Sequence, residues 1–128
     1  MEVIVKLLSS FLFGGMTLFS FGFAIVLLKQ MELSEARKII RSTFPMYYKL
    51  VITVSAISTI ISAPVNKFIS LSMAGICITT LYARQILMHQ INAATDSNNT
   101  KLFKQLHGVS VIIQLIQIGL LGYGIVII

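Results

Sequence analysis

His107, Ser110, Gln114 and Gln117 recur at i, i+3, i+7 and i+10. On a helix of about 3.6 residues per turn, that spacing lines an imidazole, a hydroxyl and two amides along one narrow stripe. The stripe offers hydrogen-bond donors and acceptors but no carboxylate. It suits a seam between helices, or a site for a polar ligand, ion or cofactor. Ser55, Ser58, Thr59 and Ser62, at i, i+3, i+4 and i+7, form a second polar face. That face is a packing seam or a hydroxyl-lined path for a solute. Arg84 is a guanidinium at the polar end of an apolar stretch. Its long stem suits snorkelling to lipid headgroups, and the alternative is an inward turn onto an anionic group or backbone carbonyls. His89 and His107 fall near the ends of consecutive apolar segments, where two imidazoles at one level would hold a haem or a metal. Cys77 reads as a small packing residue, since burial among apolar groups suppresses thiolate formation. A single cysteine makes no internal disulfide, no Cys/His zinc pattern is present, and no metal site is assigned.

The elements that must position these groups are set by composition. Of 128 residues, 56% are hydrophobic and only 11% charged, against roughly 45–50% and about 25% in soluble domains. That balance excludes a soluble enzyme, a disordered tail and a free-standing nucleic-acid-binding module. Four apolar segments are expected to span the bilayer as helices, at about residues 7–28, 45–64, 68–90 and 106–128. A hydrocarbon core of ~30 Å needs about 20 helical residues. The expected fold is a single all-α, integral membrane four-helix bundle. The first segment is too long for the apolar part of a signal peptide and lacks a convincing small-residue cleavage site, so it reads as a retained span.

Charge sets the expected orientation. Lys6 and Lys67 lie on one side of a four-span chain. Lys29, Arg37, Lys38, Arg41, Lys49, Arg84, Lys101 and Lys104 lie on the other. Basic residues gather on the cytoplasmic side, so both termini are expected to face away from the cytoplasm, most naturally in a bacterial inner membrane. Tyr47, Tyr48 and Tyr82 then fall near the cytoplasmic interface, a favoured level for amphipathic rings. Between spans one and two, Ser34 is a candidate helix cap. Leu33, Ala36, Ile39 and Ile40 share an apolar face opposite Glu35, Lys38 and Arg41. This pattern predicts a short interfacial helix, with Pro45 restarting the chain into span two. Ser97, Asn98 or Asn99 is expected to cap the last helix.

Small residues at i, i+4 spacing, Ser10 with Gly14, Ser20 with Ala24 and Gly75 with Thr79, are candidate helix-packing seams. Gly108, beside His107, marks an expected close approach by a neighbouring helix. Glu2, Glu32, Glu35 and Asp96 all lie outside the spans. The absence of an intramembrane acid argues against a carboxylate-driven proton or sodium transporter. No hydrolase, nucleotide-binding or protease motif is present.

Several strings carry a family likeness: Phe13-Gly14-Gly15-Met16, Arg41-Ser42-Thr43-Phe44-Pro45-Met46-Tyr47-Tyr48, Arg84-Gln85-Ile86-Leu87-Met88, Ile91-Asn92-Ala93-Ala94-Thr95-Asp96 and Leu106-His107-Gly108-Val109-Ser110-Val111. Together they resemble the small four-span family of unknown function that includes bacterial proteins and the eukaryotic transmembrane protein 205, linked by name to cisplatin resistance. His89 stands where bacterial relatives tend to carry proline, and Gln114 where they tend to carry asparagine. The resemblance implies four spans, supplies no reaction, and marks His107, Ser110, Gln114, Arg84, Asn92 and Asp96 as candidate positions. The expected role is non-enzymatic: an accessory or structural subunit working with the bilayer and other membrane proteins, or a stress-tolerance factor, without nucleic acid. The alternatives are a small-solute transporter or permeation protein, and a haem- or metal-binding membrane protein using His107. No cofactor is expected under the first two readings.

Overall fold

The computed structural model describes residues 1–128 as four long helices joined by short turns. They are α1 (Glu2–Gln30), α2 (Leu33–Ser62), α3 (Lys67–Asp96) and α4 (Thr100–Ile127). Each has 28 to 30 residues and a strongly apolar window, so each runs roughly 42–45 Å and exceeds a bilayer core of ~30 Å. The chain is an all-α integral membrane protein, a four-helix bundle. In ring order α1 packs on α2, α2 on α3, α3 on α4, and α4 back on α1.

Local chemistry explains where the helices stop. Pro64 follows the end of α2, and the Asn66 side chain caps α3 by accepting from the Ile69 N–H at 3.2 Å. At the other hairpin, Asn98 adopts a left-handed conformation with φ 57°, which asparagine tolerates better than most residues. The Asn98 N–H then bonds the Thr95 carbonyl and the Asn99 N–H bonds the Ala94 carbonyl, a Schellman closure of α3. The Asn99 side chain at once accepts from the Leu102 N–H and opens α4.

Two sequence expectations fail at the start of α2. Glu32, not Ser34, occupies the cap position, and Ser34 lies in the first turn. The expected separate interfacial helix is continuous with span two, and Pro45 sits inside one 30-residue helix. An interior proline normally removes one backbone bond and crowds the carbonyl four residues back. Here the inward face formed by Ala36, Ile39, Ile40, Phe44, Tyr47, Tyr48 and Val51 passes through Pro45 without a change of phase, and the helix continues unbroken. The carbonyl left without a donor belongs to Arg41, an exposed residue, where water or headgroups can reach it.

Only 22 of the 128 residues are buried, and residues such as Ile60, Leu71 and Val126 are largely exposed. Such apolar surface is ordinary where lipid is the solvent, and cohesion must come from close packing inside the bundle. The inner layer draws Val5, Leu12 and Met16 from α1, Tyr47, Tyr48 and Val51 from α2, Ile69, Met73, Ile76 and Ala83 from α3, and Leu121 from α4. Two π-helical stretches, Leu18–Phe23 in α1 and Ala83–Leu87 in α3, interrupt the regular register. Each extra residue rotates the following face, and such bulges are frequent at functional sites.

Candidate functional site

The polar interior is built on three helices around Gln114. Its Oε1 accepts from the Ser20 hydroxyl at 3.1 Å and from the Tyr47 hydroxyl at 3.2 Å. The Ser20 and Tyr47 oxygens lie 3.1 Å apart, closing a triangle among α1, α2 and α4. Ser20 belongs to the π-helical stretch of α1 and lies four residues beyond Met16, on the continuation of the inward-facing stripe. The Tyr47 ring stacks on Phe19 at 4.4 Å between centroids, with Phe44 edge-on at 5.7 Å. Phe23 and Tyr48 extend the aromatic cluster. The Tyr48 hydroxyl faces Ser110 and Gln114.

Tyr47 and Tyr48 are buried inside the bundle, while Tyr82 is partly exposed. A signal for this packing was available in the spacing: Phe19 and Phe23, and Phe44 and Tyr48, are i, i+4 aromatic pairs.

One turn deeper, Gln117 serves a different neighbour. Its Nε2 donates to the Thr79 hydroxyl at 2.7 Å and the Thr80 hydroxyl at 3.0 Å, both on α3. The two glutamines are therefore buried but face different helices. The predicted stripe divides along its length: Gln114 and Gln117 are buried, Ser110 is half-buried and His107 is exposed. His107 stacks in parallel on Phe103, with centroids 5.7 Å apart, on the wall of an open groove. The helices leave that end unfilled, so a residue on the same stripe is no longer enclosed. Gly108 shows no close approach, since an added Cβ there would meet nothing within 4 Å. The close approach occurs at Gly122, where a Cβ would stand 3.0 Å from the Phe13 ring.

The hydroxyl face of α2 does not reach the α4 stripe. Ser55 donates to the Val51 carbonyl at 2.6 Å, Ser58 to Val54 at 2.7 Å and Thr59 to Ser55 at 2.8 Å. A buried hydroxyl without a polar neighbour satisfies itself on the carbonyl one turn back. The protons of these hydroxyls are taken up within their own helix. Ser10 and Gly14 are exposed, so that pair forms no seam within the chain. Cys77 is half-buried, with Sγ 3.7 Å from the Ile52 carbonyl oxygen.

Arg84 lies in the π-helical stretch of α3, half-buried, and its Nε donates to the Pro45 carbonyl of α2 at 3.3 Å. It spans the helix pair rather than simply extending to the rim. Asp96 forms a two-point ion pair with Arg41, at 3.0 and 3.4 Å, tying the end of α3 to the start of α2. Asn92 is half-buried on the groove wall near them. No group of three or more His, Cys, Asp or Glu side chains comes together.

Comparison with known proteins adds a family. The chain matches the family described as "Domain of unknown function (DUF4149)" over residues 7–100, and it belongs to that family. The matched stretch contains Ser20, Tyr47, Arg84, Asn92 and Asp96, and stops short of the α4 stripe. The chain is also similar to an "Uncharacterized protein" of Aquifex aeolicus (strain VF5), 32% identical over 117 residues, covering 89% of this chain and 86% of the other. No solved structure matches.

Proposed function

We propose that this member of the DUF4149 family is a non-enzymatic accessory or structural subunit, which associates through its first span with other proteins of a bacterial inner membrane. The observation that carries this reading is the outer face of α1. That helix turns a narrow stripe, Val5, Ser9, Leu12 and Met16, to the bundle, and only 11% of its most apolar window is buried. Leu7, Ser10 and Gly14 point the other way. Added Cβ atoms at Gly14 and Gly15 would meet nothing within 4 Å, so nothing inside the chain requires glycine there. Glycine lowers helix propensity by about 1 kcal/mol relative to alanine in water. In lipid, small residues let a second helix approach closely.

The permeation alternative draws less support, because Ser20, Tyr47 and Gln114 bond one another and the α2 hydroxyls bond their own helix. The haem or metal alternative rests on His107, whose ring lies against Phe103. Kinship with transmembrane protein 205, and a part in stress tolerance, belong to this proposal. So does an orientation with both termini outside the cytoplasm, which follows from the charge asymmetry.

A photo-crosslinking side chain at Leu7 or Ser10, in native membranes, tests the reading. A discrete protein adduct is expected there and not at Leu71, an equally apolar exposed site on α3. Lipid adducts alone at all three positions would reject it.

A further inference from the structure

At the end of the bundle where α2 and α4 begin, the four helices leave an open groove of about 380 Å³. Its lining is mixed: Arg37, Arg41, Asn92 and His107 are polar, and Leu28, Ile40, Ile91 and Phe103 apolar. A hollow of about 90 Å³ adjoins it, sharing Arg37, Thr95 and Phe103. Arg41 is already paired with Asp96, the one ion pair in the molecule, and Arg37 has no carboxylate partner.

The depth of the groove is set by helix length. α2 has 30 residues, about 45 Å of helix, so its first turns, Leu33 to Arg41, extend past a hydrocarbon core of ~30 Å into the headgroup layer. A guanidinium at that level, with Phe44, Met88 and Ile91 lining a second adjoining hollow further along the helices, matches a molecule with an anionic head and a hydrocarbon tail. Arginine binds phosphate oxygens through parallel N–H donors. Basic pockets between spans are a recurrent seat for anionic headgroups.

We infer that this groove binds one anionic phospholipid, its phosphate held by Arg37 and the free edge of Arg41, and its acyl chains running inward over Ile91, Met88 and Phe44, which line that second hollow. The volume admits a glycerophosphate head and the upper part of the chains, leaving the remainder in the bilayer. His107 and Asn92 flank the phosphate as further polar contacts. The site is separate from the outer face of α1, so it stands or falls independently of the proposed protein association.

The test uses the full chain purified in mild detergent and read by native mass spectrometry and thermal unfolding. The probes are phosphatidylglycerol, phosphatidylcholine and glycerol 1-phosphate. Phosphatidylglycerol should be retained one to one and raise Tm, while phosphatidylcholine and glycerol 1-phosphate should do neither. Arg37→Gln should weaken phosphatidylglycerol retention by about tenfold or more, the scale of a charged hydrogen bond, with Arg37→Lys intermediate. Lys6→Gln, near the opposite end, should change nothing. Arg37 is exposed, so its replacement leaves the core intact. Equal retention of phosphatidylcholine, binding of glycerol 1-phosphate at similar strength, no retained lipid, or undiminished binding by Arg37→Gln would each overturn the assignment.

Discussion

Replacing Gln114 by leucine removes two hydrogen bonds at once, those from Ser20 and Tyr47. In water-soluble cores, stranding two hydroxyls would be costly, at about 1–3 kcal/mol for each unsatisfied group. Here the Ser20 and Tyr47 oxygens are already 3.1 Å apart and keep each other as partners. Each hydroxyl carries one proton, so the triangle holds two bonds at a time and the variant is left with one; the net loss is one interhelical bond, about 0.6 kcal/mol. Tyr47→Phe removes a hydroxyl while keeping the ring stacked on Phe19 and leaves Ser20 donating to Gln114, so it should also cost about 0.6 kcal/mol. Tyr47→Ala also empties the space between Phe19 and Phe44, and large aromatic deletions from cores cost about 3–5 kcal/mol. Reversible unfolding in mixed detergent micelles, or steric trapping in bilayers, would read these differences. The double variant Tyr47→Phe with Gln114→Leu leaves Ser20 without either partner and should lose both bonds, about 1.2 kcal/mol, the sum of the two single losses. The reasoning is refuted if Gln114→Leu alone costs more than about 3 kcal/mol, the upper scale of a stranded polar group. It also fails if Tyr47→Phe costs as much as Tyr47→Ala.

Arg84→Lys should lose about 0.6 kcal/mol in the same assay, since a single N–H to the Pro45 carbonyl is at stake. A loss as large as that of Arg84→Ala would show that the guanidinium plane itself matters. Gly108→Ala should raise stability by up to about 1 kcal/mol, whereas Gly122→Leu should lower it by about 1–3 kcal/mol through overpacking against Phe13. Equal effects at the two glycines in thermal unfolding would contradict the packing described. A reporter active only in the cytoplasm should be silent when fused after Ile128 and active when inserted at Ser97–Asn98. The reverse pattern would overturn the charge-based orientation.

Residue order along the chain was enough for four long helices, because an apolar run of bilayer length must satisfy its backbone internally and has no other way to do so. Cap chemistry at Asn99 was legible for a similar reason: the bonds involved lie within a few residues of one another. The inward placement of Gln114 and Gln117 was also readable, from the high cost of showing an amide to hydrocarbon. Which helix each amide meets was not. Gln114 reaches α1 and α2 and Gln117 reaches α3 because of the order in which the helices pack around the bundle, which is not a local property. Tertiary packing also drew Tyr47 and Tyr48 inward, kept α2 unbroken through Pro45, and left His107 on an open groove. Periodicity assigns a residue to a face of its own helix, but only the neighbouring helices decide whether that face is met by a partner, by lipid or by open space.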